Sequence, residues 1–184
     1  MDMNFDFGKK IIYDFIKEQQ MKLGFEQETI RLYIPIQSFK HILNLQKDSS
    51  KEEQKRQIGS FRAELEKTLG AVKITGKEER ICIAISPEGS RYVHENIEEN
   101  RFLADLIALF RKHHITIDQV RDIFETYSHE YVCFKQEGEE FDYLLYFKNK
   151  EIDEYYYCVK FEEGHASYHR FLEGDIRDMF GEII

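Results

Sequence analysis

The feature that most constrains this chain is a series of strand-like runs in its last third. Residues 130–136, 141–148, 154–162 and 166–172 are rich in Tyr, Phe, Val and Leu. The turns between them contain Glu137-Gly138-Glu139, Asn149-Lys150 and Glu163-Gly164. Connections this short join antiparallel neighbours, because a parallel crossover needs about a dozen residues or more. The runs therefore predict an antiparallel meander.

Side-chain parity sorts the meander into two faces. Phe141, Tyr143, Leu145 and Phe147 fall with Tyr155, Tyr157, Val159 and Phe161, which is the expected core face. Asp142, Leu144, Tyr146 and Lys148 fall with Tyr156, Cys158, Lys160 and Glu162. Depending on register, either Tyr168 and Arg170 or His165 and His169 join this second face. Tyr with Lys and Arg on an open sheet can stack bases or hold an anionic ligand. It can equally form a dimer or partner interface. The candidate face is thus Tyr146, Lys148, Tyr156, Lys160, Tyr168 and Arg170. The plainer alternative is an amphipathic sheet covered by the chain's own helices.

Helical spacing and end signals place the remaining elements. Residues 9–23 carry Ile11, Ile12, Phe15, Ile16 and Leu23 near one face, and Gly24 stops the helix. Residues 29–34 alternate as a strand and end at Pro35. A short helix spans 36–45, with Phe39, Ile42 and Leu43 inward. Asp48, Ser49 and Ser50 offer caps for a helix to Leu69; Ser49 with Glu52, and Ser50 with Glu53, both have capping-box spacing. Residues 71–75 and 80–86 form a hairpin, and Ser86-Pro87-Glu88 restarts a helix. Residues 98–113 and 116–127 form a helix pair, and 175–180 a last short helix. The fold class expected is α+β: helix, strand, helix, helix, hairpin, then the helix pair and the meander.

Charge divides the chain. Residues 1–96 carry 16 basic and 15 acidic residues, and residues 97–184 carry 10 and 20. The net charges are +1 and −10, which sum to the overall −9. The expected division is 1–96 and 97–184, whether or not the halves fold separately.

The order of elements in the first half is similar to the winged-helix family of DNA-binding domains. The resemblance is closest over residues 61–93: a helix ending Leu69-Gly70, a hairpin, then Ile85-Ser86-Pro87-Glu88-Gly89 and Tyr92-Val93. Many winged-helix proteins leave their wing through a similar Thr/Ser-Pro-x-Gly step. The resemblance implies that 50–69 is the recognition helix and 76–79 the wing tip. On that reading Lys51, Lys55, Arg56, Lys67 and Lys77 contact phosphates, with Gln54 and Ser60 near bases. The exposed face of that helix mixes Glu53 with Arg56, Ser60, Ala63 and Lys67. A groove-reading helix favours Arg, Lys, Asn and Gln there. Fold and DNA binding are therefore separate expectations, since winged helices also serve as protein-interaction modules.

The run YYYCVKFEEGHASYHRF at residues 155–171 resembles the C-terminal part of an uncharacterised family of small bacterial proteins. That resemblance implies a bacterial cytosolic origin and no activity. A cytosolic setting also fits three cysteines, Cys82, Cys133 and Cys158, at long spacings inside strand-like runs, where free thiols act as small hydrophobes. No basic leader precedes an apolar run at the N-terminus, and the 102–110 stretch is too short and too charged to span a membrane.

Signatures of catalysis are missing: there is no Gly-x-Gly-x-x-Gly, Walker loop, Gly-x-Ser-x-Gly or His-Glu-x-x-His. The tightest histidine pair is His165 and His169. On a strand these stand roughly 13 Å apart, too far for one ion. No metal and no cofactor is expected. The favoured reading is a non-enzymatic binding or regulatory module; in its sharper form the first half docks on DNA and the acidic second half dimerises or senses a ligand. The alternatives are a homodimer or protein adaptor using the tyrosine face, and an enzyme built on His165 to Arg170.

Overall fold

Ile11, Ile12 and Ile16 repeat at helical spacing, and all three are fully buried on helix α1 (Asp6–Leu23). The structure, a computed structural model, describes residues 5–25, 28–45, 49–137 and 140–181. It is α+β, with two compact units, Met1–Glu99 and Asn100–Ile184. Met1–Asn4, the Asp48 cap and Gly138-Glu139 of the first meander turn lie outside the described residues.

In the first unit α1 ends at Gly24, whose φ of 77° is the left-handed cap conformation that glycine adopts without strain. Strand β1 (Ile30–Pro35), α2 (Ile36–Ile42) and α3 (Lys51–Leu69) follow, then the hairpin β2 (Val72–Lys77) and β3 (Arg80–Ile85), then α4 (Pro87–Asn96). This is the helix, strand, helix, helix, hairpin order that the sequence predicts. Of the two possible capping boxes, Ser50 supplies the cap: its hydroxyl accepts the Glu53 N–H at 3.1 Å. Ser86 accepts the Gly89 N–H at 3.3 Å and donates to the Leu69 carbonyl at 2.9 Å, which ties α4 to the end of α3.

The three strands pair antiparallel in the order β1-β3-β2. Ile30, Leu32 and Ile34 turn inward beside Ile83, Ile85 and Val72, and all six are buried. At Gly89, α4 packs tightly against the end of α3 and against β3. A Cβ there would stand 2.5 Å from the Leu69 carbonyl oxygen and 2.7 Å from Ile85 Cγ2. Backbone cannot yield cheaply, so Gly89→Ala is expected to lower stability by about 1–3 kcal/mol. Thermal unfolding checks this; an unchanged Tm would mean that α4 is free to shift.

The second unit begins with α5 (Arg101–Phe110) and α6 (Ile117–Tyr127). The predicted helix 98–113 is shorter at both ends. Asn100 caps it by accepting the Leu103 N–H at 3.1 Å. Beyond Phe110 the chain turns, with His114 at φ 55° donating its N–H to the Gly164 carbonyl at 3.1 Å. Thr116 and Gln119 form a full capping box on α6.

Strands β4 (Tyr131–Lys135), β5 (Tyr143–Phe147), β6 (Tyr156–Glu162) and β7 (His165–Phe171) form an antiparallel meander in sequence order, followed by α7 (Glu173–Phe180). One face of this sheet is covered by the helix pair. Phe102 of α5 and Phe124 of α6 each approach Phe147 to 4.8 Å between ring centroids. The other face is covered by α7, whose Ile176 is buried with Leu144, Tyr146, Tyr156 and Cys158, while Phe180 packs alongside. Among the described residues no helix is long and apolar enough to cross a membrane.

Candidate functional site

Three places were candidates from the sequence: the α3 face with the wing tip, the tyrosine face, and the His165–Arg170 stretch. On α3, Lys51, Lys55, Arg56, Ser60 and Lys67 are exposed and Gln54 is half-buried. Arg56 is held by Glu53 at 2.8 Å, and Lys67 by Glu64 at 2.5 Å. These partners lower the pKa of Glu53 and of Glu64, whose side chains hydrogen-bond to Arg56 and Lys67 respectively. Gln54 donates to the Ser49 carbonyl at 3.1 Å. Lys51 and Lys55 make no ion pair among the described residues. At the hairpin tip Glu78 and Glu79 are both exposed, and the Lys77 side chain lies outside the described atoms.

A more uniform basic surface lies on the outer face of the same three-stranded sheet. Register sets Arg31, Tyr33 and Pro35 of β1 beside Ala84, Cys82 and Arg80 of β3. The same β3 residues face Lys73, Thr75 and Lys77 of β2. None of these nine positions holds a carboxylate. Arg31, Lys73 and Arg80 are exposed and make no ion pair among the described residues. Tyr33 stands among them at 53% exposure. The alternation in residues 29–34 already pointed Arg31 and Tyr33 outward. Their neighbours lie about fifty residues away in sequence, so only the strand order assembles the face.

The tyrosine face is not open. Tyr146 is 8% exposed and Tyr156 is 2% exposed beneath α7. The plainer expectation, a sheet covered by its own helices, describes it. Both phenols have pKa values raised by burial, that of Tyr156 to about 12. Burial likewise pushes the Cys158 thiol up to about 12. The cation over the rings is Lys150 from the β5–β6 connection, with Nζ 3.7 Å from the Tyr156 centroid and 4.9 Å from that of Tyr146. Burial lowers the pKa of Lys150. Lys148 is exposed beyond the end of β5, and Lys160 lies 3.4 Å from Asp142.

Two assignments to these faces are corrected by register. Cys158 pairs with His169 and Val159 with Tyr168, so His165 and His169 share the Tyr156 face, while Tyr168 and Arg170 lie on the opposite one. Arg170 stacks over the Tyr155 ring at 4.2 Å. Phe141 also changes sides. Asp142 sits in a bend, where its carboxylate accepts the Phe161 N–H at 2.6 Å, and Phe141 precedes β5. The bend breaks the alternation, and Phe141 joins the cluster under α7.

The same register divides the proposed enzyme segment, since His165 and His169 point away from the face that carries Arg170. His165 instead meets His113, in the turn three residues beyond α5, with ring centroids 4.7 Å apart. Among the described residues, no group of three or more His, Cys, Asp and Glu side chains is placed to hold a metal ion. Of the cysteines, Cys158 is buried, whereas Cys82 and Cys133 are partly exposed.

Sequence reasoning missed one concavity. An open cleft of about 530 Å³ is lined by Ile117 and Arg121 of α6, Tyr131, Cys133 and Lys135 of β4, and Tyr143 of β5. Alternation along β4 sets its three residues on one side, which was the available signal. The α6 contribution is a tertiary pairing that no local pattern announces.

The chain belongs to a family whose model matches residues 7–180 and whose description reads "Domain of unknown function, E. rectale Gene description (DUF3877)". No curated protein and no solved structure matches the chain.

Proposed function

We propose that the protein is a non-catalytic DNA-binding module whose first unit docks on the phosphate backbone. The observation that carries this reading is the outer sheet face, where Arg31, Lys73 and Arg80 are exposed and none of the nine positions is acidic. In a chain of net charge −9, such a face is a local reversal of sign. The order of elements and the β1-β3-β2 pairing support a winged-helix reading of this unit. Lys51 and Lys55 of α3 add exposed cations. Arg56 and Lys67 are already engaged by Glu53 and Glu64, so their contribution to binding is smaller. Gln54 and Ser60 are the base-facing candidates. With so few groups for base readout, binding is governed by phosphates and is weakly sequence-selective.

Electrophoretic mobility of random duplex DNA tests this. A protein neutralising four phosphates loses roughly 100-fold in affinity between about 50 mM and about 200 mM salt. Arg31→Glu with Arg80→Glu is expected to weaken binding and to reduce the salt slope by about two. Arg56→Glu with Lys67→Glu is expected to do less. Absence of a shift at both salt concentrations would overturn the reading.

A further inference from the structure

We propose that the cleft between α6 and β4 binds a small aromatic anion, an aryl phosphate or aryl carboxylate. Its volume of about 530 Å³ falls within the ~300–1,000 Å³ of small-molecule sites. Its lining contains two cations, Arg121 and Lys135, and no carboxylate. That is unusual for its surroundings, because residues 97–184 carry 20 acidic against 10 basic side chains. A cation pair lining a concave site concentrates an anion there.

Arg121 is only partly committed. Its Nε donates to the Tyr131 hydroxyl at 3.4 Å, and Nη1 lies 3.5 Å from Asp118, a carboxylate that is 79% exposed. A guanidinium has five N–H donors in a planar fork, so donors are left for a bidentate contact with a carboxylate or phosphate. Lys135 makes no ion pair among the described residues, and it pairs in register with Tyr143. Tyr131 and Tyr143 give the cleft aromatic walls, and Ile117 gives it an apolar one. A ligand must therefore offer a flat apolar body as well as charge. Inorganic phosphate meets only half of this description, and a neutral phenol only the other half.

Cys133 lines the same cleft and is partly exposed, so it reports occupancy directly. The experiment uses the full chain with Cys82→Ser, which leaves Cys133 as the accessible thiol because Cys158 is buried. The rate of maleimide labelling is followed with phenyl phosphate, phenol or inorganic phosphate present, and phenyl phosphate affinity is measured by calorimetry. Phenyl phosphate is expected to protect Cys133, with phenol and inorganic phosphate much weaker. Arg121→Gln is expected to weaken phenyl phosphate by about tenfold or more, with Lys135→Gln acting in the same direction. Both residues are exposed, so these variants should fold, and circular dichroism confirms it. Three outcomes overturn the proposal: no binding of phenyl phosphate, binding that leaves Cys133 labelling unchanged, or binding indifferent to both substitutions. Equal protection by inorganic phosphate would overturn the aromatic part.

Discussion

Phe102→Ala is expected to cost the second unit about 3–5 kcal/mol, the scale of a large aromatic removed from a closed core. Phe102 is 1% exposed on α5. Its ring stands edge-on to four others: Phe124 and Phe147 at 4.8 Å, Tyr157 at 5.4 Å and Tyr127 at 5.5 Å. Edge-to-face pairs contribute about 0.5–1.5 kcal/mol beyond the area that they bury. One residue thus joins both helices of the pair to the two central strands of the meander. Its removal leaves a cavity walled by stiff rings, which cannot collapse to fill it. For a unit of this size each kcal/mol moves Tm by about 4–8 °C. Urea unfolding followed by near-ultraviolet dichroism measures the loss. Phe7→Ala, at a residue 47% exposed, is the comparison and is expected to stay within about 0.5 kcal/mol. A cost below about 1 kcal/mol for Phe102→Ala would mean that the two layers are held together elsewhere.

Local signals in this sequence are legible because they are satisfied within a few residues. Ser50, Ser86 and Thr116 each cap the helix expected of them, through bonds spanning three residues. Gly24 ends α1, and the meander strands pair in chain order. What was not legible depends on partners distant in sequence. Because Asp142, Lys148 and Lys160 alternate with its rings, the tyrosine face is compatible from sequence with either an open sheet or one covered by the chain's own helices. Yet β5 is buried at four consecutive positions, Leu144 to Phe147, a pattern of strands covered on both faces. The run Leu-Leu-Tyr-Phe carried that message, but nothing local says that α7 supplies the second cover. The place of Phe141 turned on the single bend at Asp142, and that of Arg170 on a one-residue choice of register, which moves every side chain to the other face. The basic sheet face was half visible, in Arg31 and Tyr33. Its other half became visible only when β3 was found between β1 and β2.

The closed face under α7 has a consequence in alkali. Burial holds the Cys158 thiol at about 12 against an ordinary 9.0, and the Tyr156 phenol at about 12 against 10.0. In both cases the native state keeps a proton that the unfolded chain gives up. Below about pH 9 the two groups are protonated in either state, and their contribution is fully present. As pH rises from about 9 towards 12 the unfolded chain binds fewer protons than the native one, so stability falls. For Cys158 alone the loss is on the order of 4 kcal/mol across that window, at 1.36 kcal/mol per decade. Tyr156 falls in the same direction, but the two share one cluster, so their effects are not additive. Urea midpoints at pH about 8 and about 10.5 are expected to separate clearly. Cys158→Ala should lower the midpoint at both values, through the cavity that it leaves, and bring the two closer together. If the separation is unchanged in Cys158→Ala, or if Cys158 reacts with maleimide at neutral pH as readily as Cys82, then the face under α7 is open to water.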